Sequence, residues 1–211
     1  MSKFRELELK NSRLEDLLGL IKETTTKSIS AEIIGADLHS ATKSYRINKG
    51  ARAGIQKGMP VINNQGVIGH IFRTSPFYSD VILITDPNAA VDATVQNSRT
   101  RGILKGLGNN LCELKYLSAS DKIEIGDTII SSGMGGYYPK GLLLGRVINV
   151  SKETYDGRLF VEVKPFVNLQ AVEEVLILDK PKFEDIQQEM LSQRIDQDTG
   201  DENLELKEYS R

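Results

Sequence analysis

The sequence predicts a mainly β protein in which an N-terminal helix precedes two small barrels. Three observations point there. Short apolar runs separated by Gly, Asn, Asp and Pro recur from Ala31 to Leu178. No long helical pattern interrupts them, which disfavours dinucleotide-type α/β sheets. Strands this short leave open edges unless their sheets close, and 211 residues suit two closed barrels better than one.

The helix comes first. Phe4, Leu7, Asn11, Leu14, Leu18, Ile21 and Thr25 are spaced 3, 4, 3, 4, 3, 4, a heptad seam. Such a seam wants a partner helix, because one helix alone leaves the stripe in water. An Asn at a seam position costs stability but fixes register in a two-stranded parallel pair. The seam therefore predicts a homodimer interface at Leu7, Asn11, Leu14, Leu18 and Ile21. The competing reading is an amphipathic helix packed on its own domain, and Leu17 and Leu20 widen the apolar face in that direction. The pattern fades at Thr24–Thr26, where β-branched side chains lose χ1 freedom. Met1 runs straight into this helix, as expected if a membrane anchor lies upstream.

The strands follow in order. Ala31–Gly35 and Ser44–Ile47 come first. Met59–Ile62 and Val67–Phe72 form a hairpin across Asn63-Asn-Gln-Gly66. Asp80–Ile84 ends at the turn cluster Thr85-Asp-Pro-Asn88. Val91–Val95 alternates in period two, Asn97–Gly102 turns the chain into Ile103-Leu104, and Leu111–Leu117 alternates again. Gly126-Asp127 turns into Thr128–Ile130. Val147–Val150 and Leu159–Val163 make a hairpin across Glu153–Gly157, and Val175–Leu178 closes the set. From residue 179 onward the composition becomes acidic and poor in apolar residues; Phe183–Ile195 suits a short helix, and the remainder reads as a disordered tail.

The densest signal is Gly133-Met-Gly-Gly-Tyr-Tyr-Pro-Lys-Gly-Leu-Leu-Leu-Gly145. Glycine supplies positive φ and close backbone approach, and proline fixes a turn. The segment is thus a tight connection in a β unit. It is not a phosphate loop, because Lys140-Gly141 opens no helix and no Ser or Thr follows. Ser131 and Ser132 precede it, but Gly-x-Ser-x-Gly is absent, and a nucleophilic serine needs a base held by a third group; of the two histidines, His39 and His70, either could approach a serine in space. Two polar residues ending a strand is the better reading. The turn-defining set is Gly58, Gly66, Gly69, Asp86, Gly126, Asp127, Gly133, Gly136, Pro139, Gly141 and Gly145.

Composition bounds the chemistry. A net charge of −2 argues against nucleic-acid binding, and the locally basic stretches 43–49 and 99–101 read as solvated faces. Cys112 is the one cysteine, so no intrachain disulfide forms; it reads as a small core residue. One cysteine and two separated histidines make no metal-spaced cluster, and no cofactor motif is present. No apolar stretch approaches the ~20 residues of a membrane span.

In order and spacing, several segments resemble a known family. They are Leu14–Leu18, Ala31–Gly35, Asn48-Lys-Gly-Ala-Arg-Ala-Gly-Ile-Gln-Lys-Gly-Met-Pro-Val61, Gln65–Ile71, Ser79–Asp86, Gly126–Gly141 and Gly145-Arg-Val147. The chain is similar to the extracytoplasmic part of MreC, the rod shape-determining family. The resemblance implies six-stranded-type barrels, the second inserted into the first. It places the second barrel at 60–117 and the first at 31–59 and 118–178, after a dimerising helix over 1–30 and before a tail over 179–211. It implies a non-catalytic scaffold of the cell-elongation machinery on the periplasmic face of the inner membrane, held by a single-pass anchor. Implied partners are a second copy with further self-assembly, a class B penicillin-binding transpeptidase, MreD and, indirectly, the MreB filament. Docking would use strand addition or aromatic anchoring. The alternative is a serine hydrolase on a trypsin-like two-barrel fold. Gly-Asp-Ser-Gly-Gly does not form here: Gly126-Asp127 is followed by Thr128, and Ser132-Gly133 by Met134. Tyr137-Tyr138 and Leu142–Leu144 are more apolar than the family pattern; they are expected to point mostly inward, or otherwise to form a surface patch suited to protein contact.

Overall fold

The structure, a computed structural model, describes residues 27–38, 42–152 and 159–179, together with residues 11, 12, 14 and 15. Among the described residues run twelve strands: β1 Ser28–Asp37, β2 Ser44–Ile47, β3 Pro60–Asn63, β4 Gly66–Thr74, β5 Ser79–Leu83, β6 Ala90–Val95, β7 Arg101–Gly106, β8 Cys112–Lys115, β9 Thr128–Ser131, β10 Leu143–Lys152, β11 Leu159–Pro165 and β12 Glu174–Leu178. They close into two six-stranded barrels, β1-β12-β3-β4-β5-β2 and β10-β11-β8-β7-β6-β9. Every neighbouring pair is antiparallel. The mainly β class and the insertion of one barrel into the other agree with the expectation.

The boundary between the barrels does not. The inserted barrel is β6–β11, residues 90–165, and not 60–117. The hairpin β3–β4 belongs to the first barrel, because β3 pairs with β12 (Leu176 opposite Ile62) and β5 pairs with β2 (Arg46 opposite Asp80). These are long-range pairings. Alternation and turn residues locate a strand but say little about which distant strand it will meet. Closure also removes the sheet edges that strand addition needs, so side-chain surfaces carry any contact the barrels make.

Closing so small a barrel requires sharply bent strands. The bends fall at register breaks in β1 (Ile33/Gly35), β4 (Ile71/Arg73) and β10 (Leu143/Gly145 and Val147/Asn149) and opposite β3 (Val61/Ile62). A bulge adds a residue on one strand and increases local twist, which is how a short strand turns a barrel corner. Gly69 and Gly145 sit at two of these breaks. A Cβ on Gly69 would lie 1.8 Å from the Ile82 carbonyl oxygen, and one on Gly145 would lie 2.4 Å from that of Lys164. Here absence of a side chain lets the backbones approach.

The interiors are aliphatic. Ile47, Ile55, Ile68, Ile71, Leu83, Leu176 and Ile177 are fully buried in the first barrel or against its faces, and Leu104, Leu114, Ile129 and Leu144 are fully buried in the second. The packing is continuous between them. Cys112 on β8 donates through Sγ to the Ile84 carbonyl just past β5 (3.4 Å), and the Gly108 amide donates to the Thr85 carbonyl (2.9 Å). Asp86 is fully buried and accepts from the Lys43 amide (2.5 Å) and the Asn88 amide (2.8 Å), tying the exit of β5 to the entry of β2. On the return path, Tyr45 donates its hydroxyl to the Leu169 carbonyl, and burial pushes that phenol up to about 12. Both crossings between barrels are thus fastened by backbone-directed hydrogen bonds, which resist hinge motion.

Candidate docking surface at the barrel seam

The glycine-rich connection between β9 and β10 becomes the seam. Ser131 on β9 is fully buried; its hydroxyl donates to the Pro139 carbonyl (2.5 Å) and accepts from the Leu142 amide (2.9 Å). Both functions of that oxygen are used in stapling the loop. The Ser132 Oγ accepts from the Met134 amide (3.3 Å), and the Ser132 amide donates to the Asp92 carbonyl on β6 (3.0 Å). Gly135 presses on the same strand: a Cβ there would lie 1.8 Å from Asp92 Oδ2.

The two tyrosines divide their roles. Tyr138 is buried, its hydroxyl 3.0 Å from Nδ1 of His70 on β4 of the first barrel, with the two rings near perpendicular. Burial drives its phenol pKa strongly upward, so the hydroxyl stays protonated. Tyr137 points out, 54% exposed, its ring centroid 6.3 Å from that of His70. Leu144 is buried and Leu143 is 42% exposed. A Cβ on Gly66, the first residue of β4, would lie 2.4 Å from the Leu143 carbonyl oxygen. The loop of one barrel therefore rests on the strand of the other at backbone distance. Met134, Tyr137 and Leu143 remain on its outer side as exposed apolar side chains. The inward expectation holds for Tyr138 and Leu144 and fails for Tyr137 and Leu143; in β10 a period of two sends Leu143 and Leu144 to opposite faces, while Tyr137 and Tyr138 lie in the bent connection before it, where only Tyr138 turns toward His70.

The remaining predicted residues fall as follows. Gly58, Gly66, Gly126, Gly133, Gly136 and Gly141 have positive φ. Asp127 caps its turn by accepting from the Glu124 amide (2.9 Å) and from Asn97 Nδ2 (3.2 Å). Asn11 and Leu14 are helical and exposed, while Leu7, Leu18, Ile21, His39 and the acidic tail lie outside the described residues. Among the described residues, no group of His, Cys, Asp and Glu is arranged to hold a metal ion, and no helix is long and apolar enough to cross a membrane.

Sequence reasoning missed one constellation. Asp80 on β5 is 4% exposed and sits between two arginines on its neighbouring strands. Arg46 Nε donates to Oδ1 (2.8 Å) and Arg73 Nε to Oδ2 (2.7 Å). Burial alone would raise the Asp80 pKa; hydrogen bonds and charge from the two arginines outweigh it, and the net shift is downward. Arg46 is thus more than the solvated strand face expected of it. The signal was an Asp opening the otherwise apolar run Asp80–Ile84.

The model of the family "Rod shape-determining protein MreC, barrel core" matches residues 33–179. The chain belongs to the MreC family. It is 29% identical to the cell shape-determining protein MreC of Escherichia coli over 80% of this chain and 46% of that one. It is 31% identical to that of Haemophilus influenzae over 82% and 50%. The chain therefore spans about half the length of the curated relatives it matches. A solved MreC structure superposes with a TM-score of 0.77 at 29% identity, covering 82% of this chain and 99% of that one. MreC from Pseudomonas aeruginosa superposes with a TM-score of 0.69 at 28% identity, covering 72% and 99%. MreC from Helicobacter pylori, solved in complex with the penicillin-binding protein PBP2, shares the fold at a TM-score of 0.56 and 15% identity, covering 72% and 99%.

Proposed function

We propose that this chain is a non-catalytic scaffold of the cell-elongation machinery, working on the periplasmic face of the inner membrane below an upstream anchor. Its task is to hold wall-synthesis proteins, a class B penicillin-binding transpeptidase first, at a fixed geometry. The observation that carries this reading is the seam. Two barrels with aliphatic interiors are fused through buried Tyr138, while Met134, Tyr137 and Leu143 stay exposed on a braced loop. Rigid aromatic and aliphatic side chains on a preorganised surface are what a protein contact uses as anchors. The complex of the Helicobacter pylori relative with PBP2 supports the class of partner. The hydrolase alternative finds no support in this geometry, since the Ser131 hydroxyl is buried and committed to the loop backbone.

In this reading the heptad helix pairs two copies, so that each weak barrel contact acts in a bivalent assembly. MreD and, through it, the MreB filament complete the expected set of partners. Calorimetric titration of the purified chain with the soluble domain of its own organism's class B transpeptidase tests the docking. Saturable binding is expected. Tyr137→Ala with Leu143→Ser should weaken it about tenfold, equal to ~1.4 kcal/mol, without lowering the melting temperature. Equal affinity for the double variant removes the seam from the contact. For the helix, Leu14→Asp with Leu18→Asp should yield monomers in sedimentation; an intact dimer refutes the seam of heptads.

A further inference from the structure

A second surface, on the first barrel, carries a different chemistry. The β4–β5 connection Ser75-Pro-Phe-Tyr78 lifts two aromatic rings into solvent, Phe77 at 65% and Tyr78 at 37% exposure. It is not a loose tip. The Ser75 amide donates to the Tyr78 carbonyl (2.8 Å), and the Ala51 and Arg52 amides donate to the Ser75 and Pro76 carbonyls (2.9 and 3.2 Å). Gly50 lets the two backbones meet: a Cβ there would lie 2.2 Å from the Ser75 carbonyl oxygen and 2.7 Å from the Phe77 and Tyr78 amides. Each ring carries a guanidinium, with Arg52 4.5 Å above Phe77 and Arg46 4.6 Å above Tyr78. Arg73 lies beside Phe72 (5.9 Å) on the same strand pair. Asp80 engages Arg46 and Arg73, whereas Arg52 has no carboxylate partner among the described residues. The crest is therefore cationic, aromatic and rigid.

We infer that this crest docks an acidic, apolar-flanked polypeptide segment of a partner protein. Arginine presents a planar fork that matches a carboxylate. Stacking on a ring holds that fork still, so less freedom is lost when the carboxylate arrives. The exposed edge of Phe77 and the ring of Tyr78 then take the flanking apolar side chains. A membrane surface is the poorer fit, because a guanidinium stacked on each ring would have to enter the apolar layer with it. The crest uses residues separate from Met134, Tyr137 and Leu143, so it goes beyond the seam reading and stands or falls apart from it.

The test is a titration of the ¹⁵N-labelled chain with a twelve-residue peptide of Glu, Asp, Leu and Phe, alongside the same peptide with Lys in place of the acids. Saturable amide shifts are expected for the acidic peptide at residues 46–52 and 72–80. Arg52→Glu and Phe77→Ser, both at exposed side chains, should keep the spectrum of a folded protein and weaken binding about tenfold each. Tyr137→Ala should leave the affinity unchanged. The inference is overturned by shifts outside those two segments, by equal affinity for the Lys peptide, by unaltered binding in Arg52→Glu, or by tighter Phe77-dependent binding to phosphatidylglycerol vesicles than to the peptide.

Discussion

Substituting Gly69 by alanine separates close backbone approach from backbone conformation as the reason for a glycine. Gly69 lies in β4 opposite Leu83 of β5, and its φ is not positive. A Cβ there would lie 1.8 Å from the Ile82 carbonyl oxygen and 2.9 Å from its carbon, against an ordinary contact of about 3.5 Å. Both neighbours are backbone, so no side chain can swing away. The strands would have to part by more than about 1 Å, which strains the ladder, including the Ile84 amide to Ile68 carbonyl bond (3.0 Å). Overpacking costs about 1–3 kcal/mol and a weakened ladder bond about 1 kcal/mol more, so we expect a loss of about 3 kcal/mol. For a domain of this size that lowers the melting temperature by about 6–12 °C. Gly126 is the control. Its φ is +100° and nothing lies within 4 Å of its would-be Cβ, so alanine there meets only backbone strain. That costs about 1 kcal/mol, or about 2–4 °C. Calorimetric melting of both variants decides the matter. Equal shifts, or a larger one for Gly126→Ala, refute the steric reasoning.

Four further outcomes follow from the same geometry. Asp80→Asn should destabilise by about 1–2 kcal/mol at neutral pH, the lower part of the range because Arg46 and Arg73 are partly solvated. A carboxyl held below its unfolded value stabilises above about pH 4 and loses that contribution as pH falls through the folded value. The gap between wild type and variant in urea unfolding should therefore close on acidification; a gap that persists below the carboxylate range contradicts the assignment. Ser131→Ala leaves the Leu142 amide short of a partner and should cost about 1–3 kcal/mol, read in the same unfolding curves. A fluorophosphonate probe should leave Ser131 and Ser132 of the native wild type unlabelled, and stable labelling would revive the hydrolase reading. Cys112 is fully buried and burial pushes its thiol up to about 12, so a thiol reagent should react only once the protein is unfolded. Stoichiometric modification of the native chain would show that β8 opens.

Much of the fold was legible in the sequence because its signals are local. The hairpin turn at Asn63–Gly66, the turns at Asp86 and Asp127 and the period-two runs in β6 and β8 are each decided within a few residues, and each stands where it was expected. The allocation of strands to barrels was not legible. Whether Ile62 faces Leu176 depends on chain more than a hundred residues away, and no local pattern encodes that pairing. The seam was half legible. Its glycines announced a tight loop, but that Tyr138 reaches His70 while Tyr137 stays out follows from where β4 lies, which only closure of the first barrel determines. The arginine crest escaped for a like reason: Arg73 meets Asp80 across the β4–β5 hairpin, but Arg46 reaches it from β2, a pairing that no local pattern encodes.

Cell shape is the most direct measure of the scaffold claim. In a rod-shaped bacterium depleted of its own MreC, the organism-matched full-length protein containing these barrels should restore rods, and Tyr137→Ala with Leu143→Ser should fail to do so while remaining folded and membrane-associated. Rods sustained by that double variant, or round cells despite normal levels of the intact protein, would contradict the account.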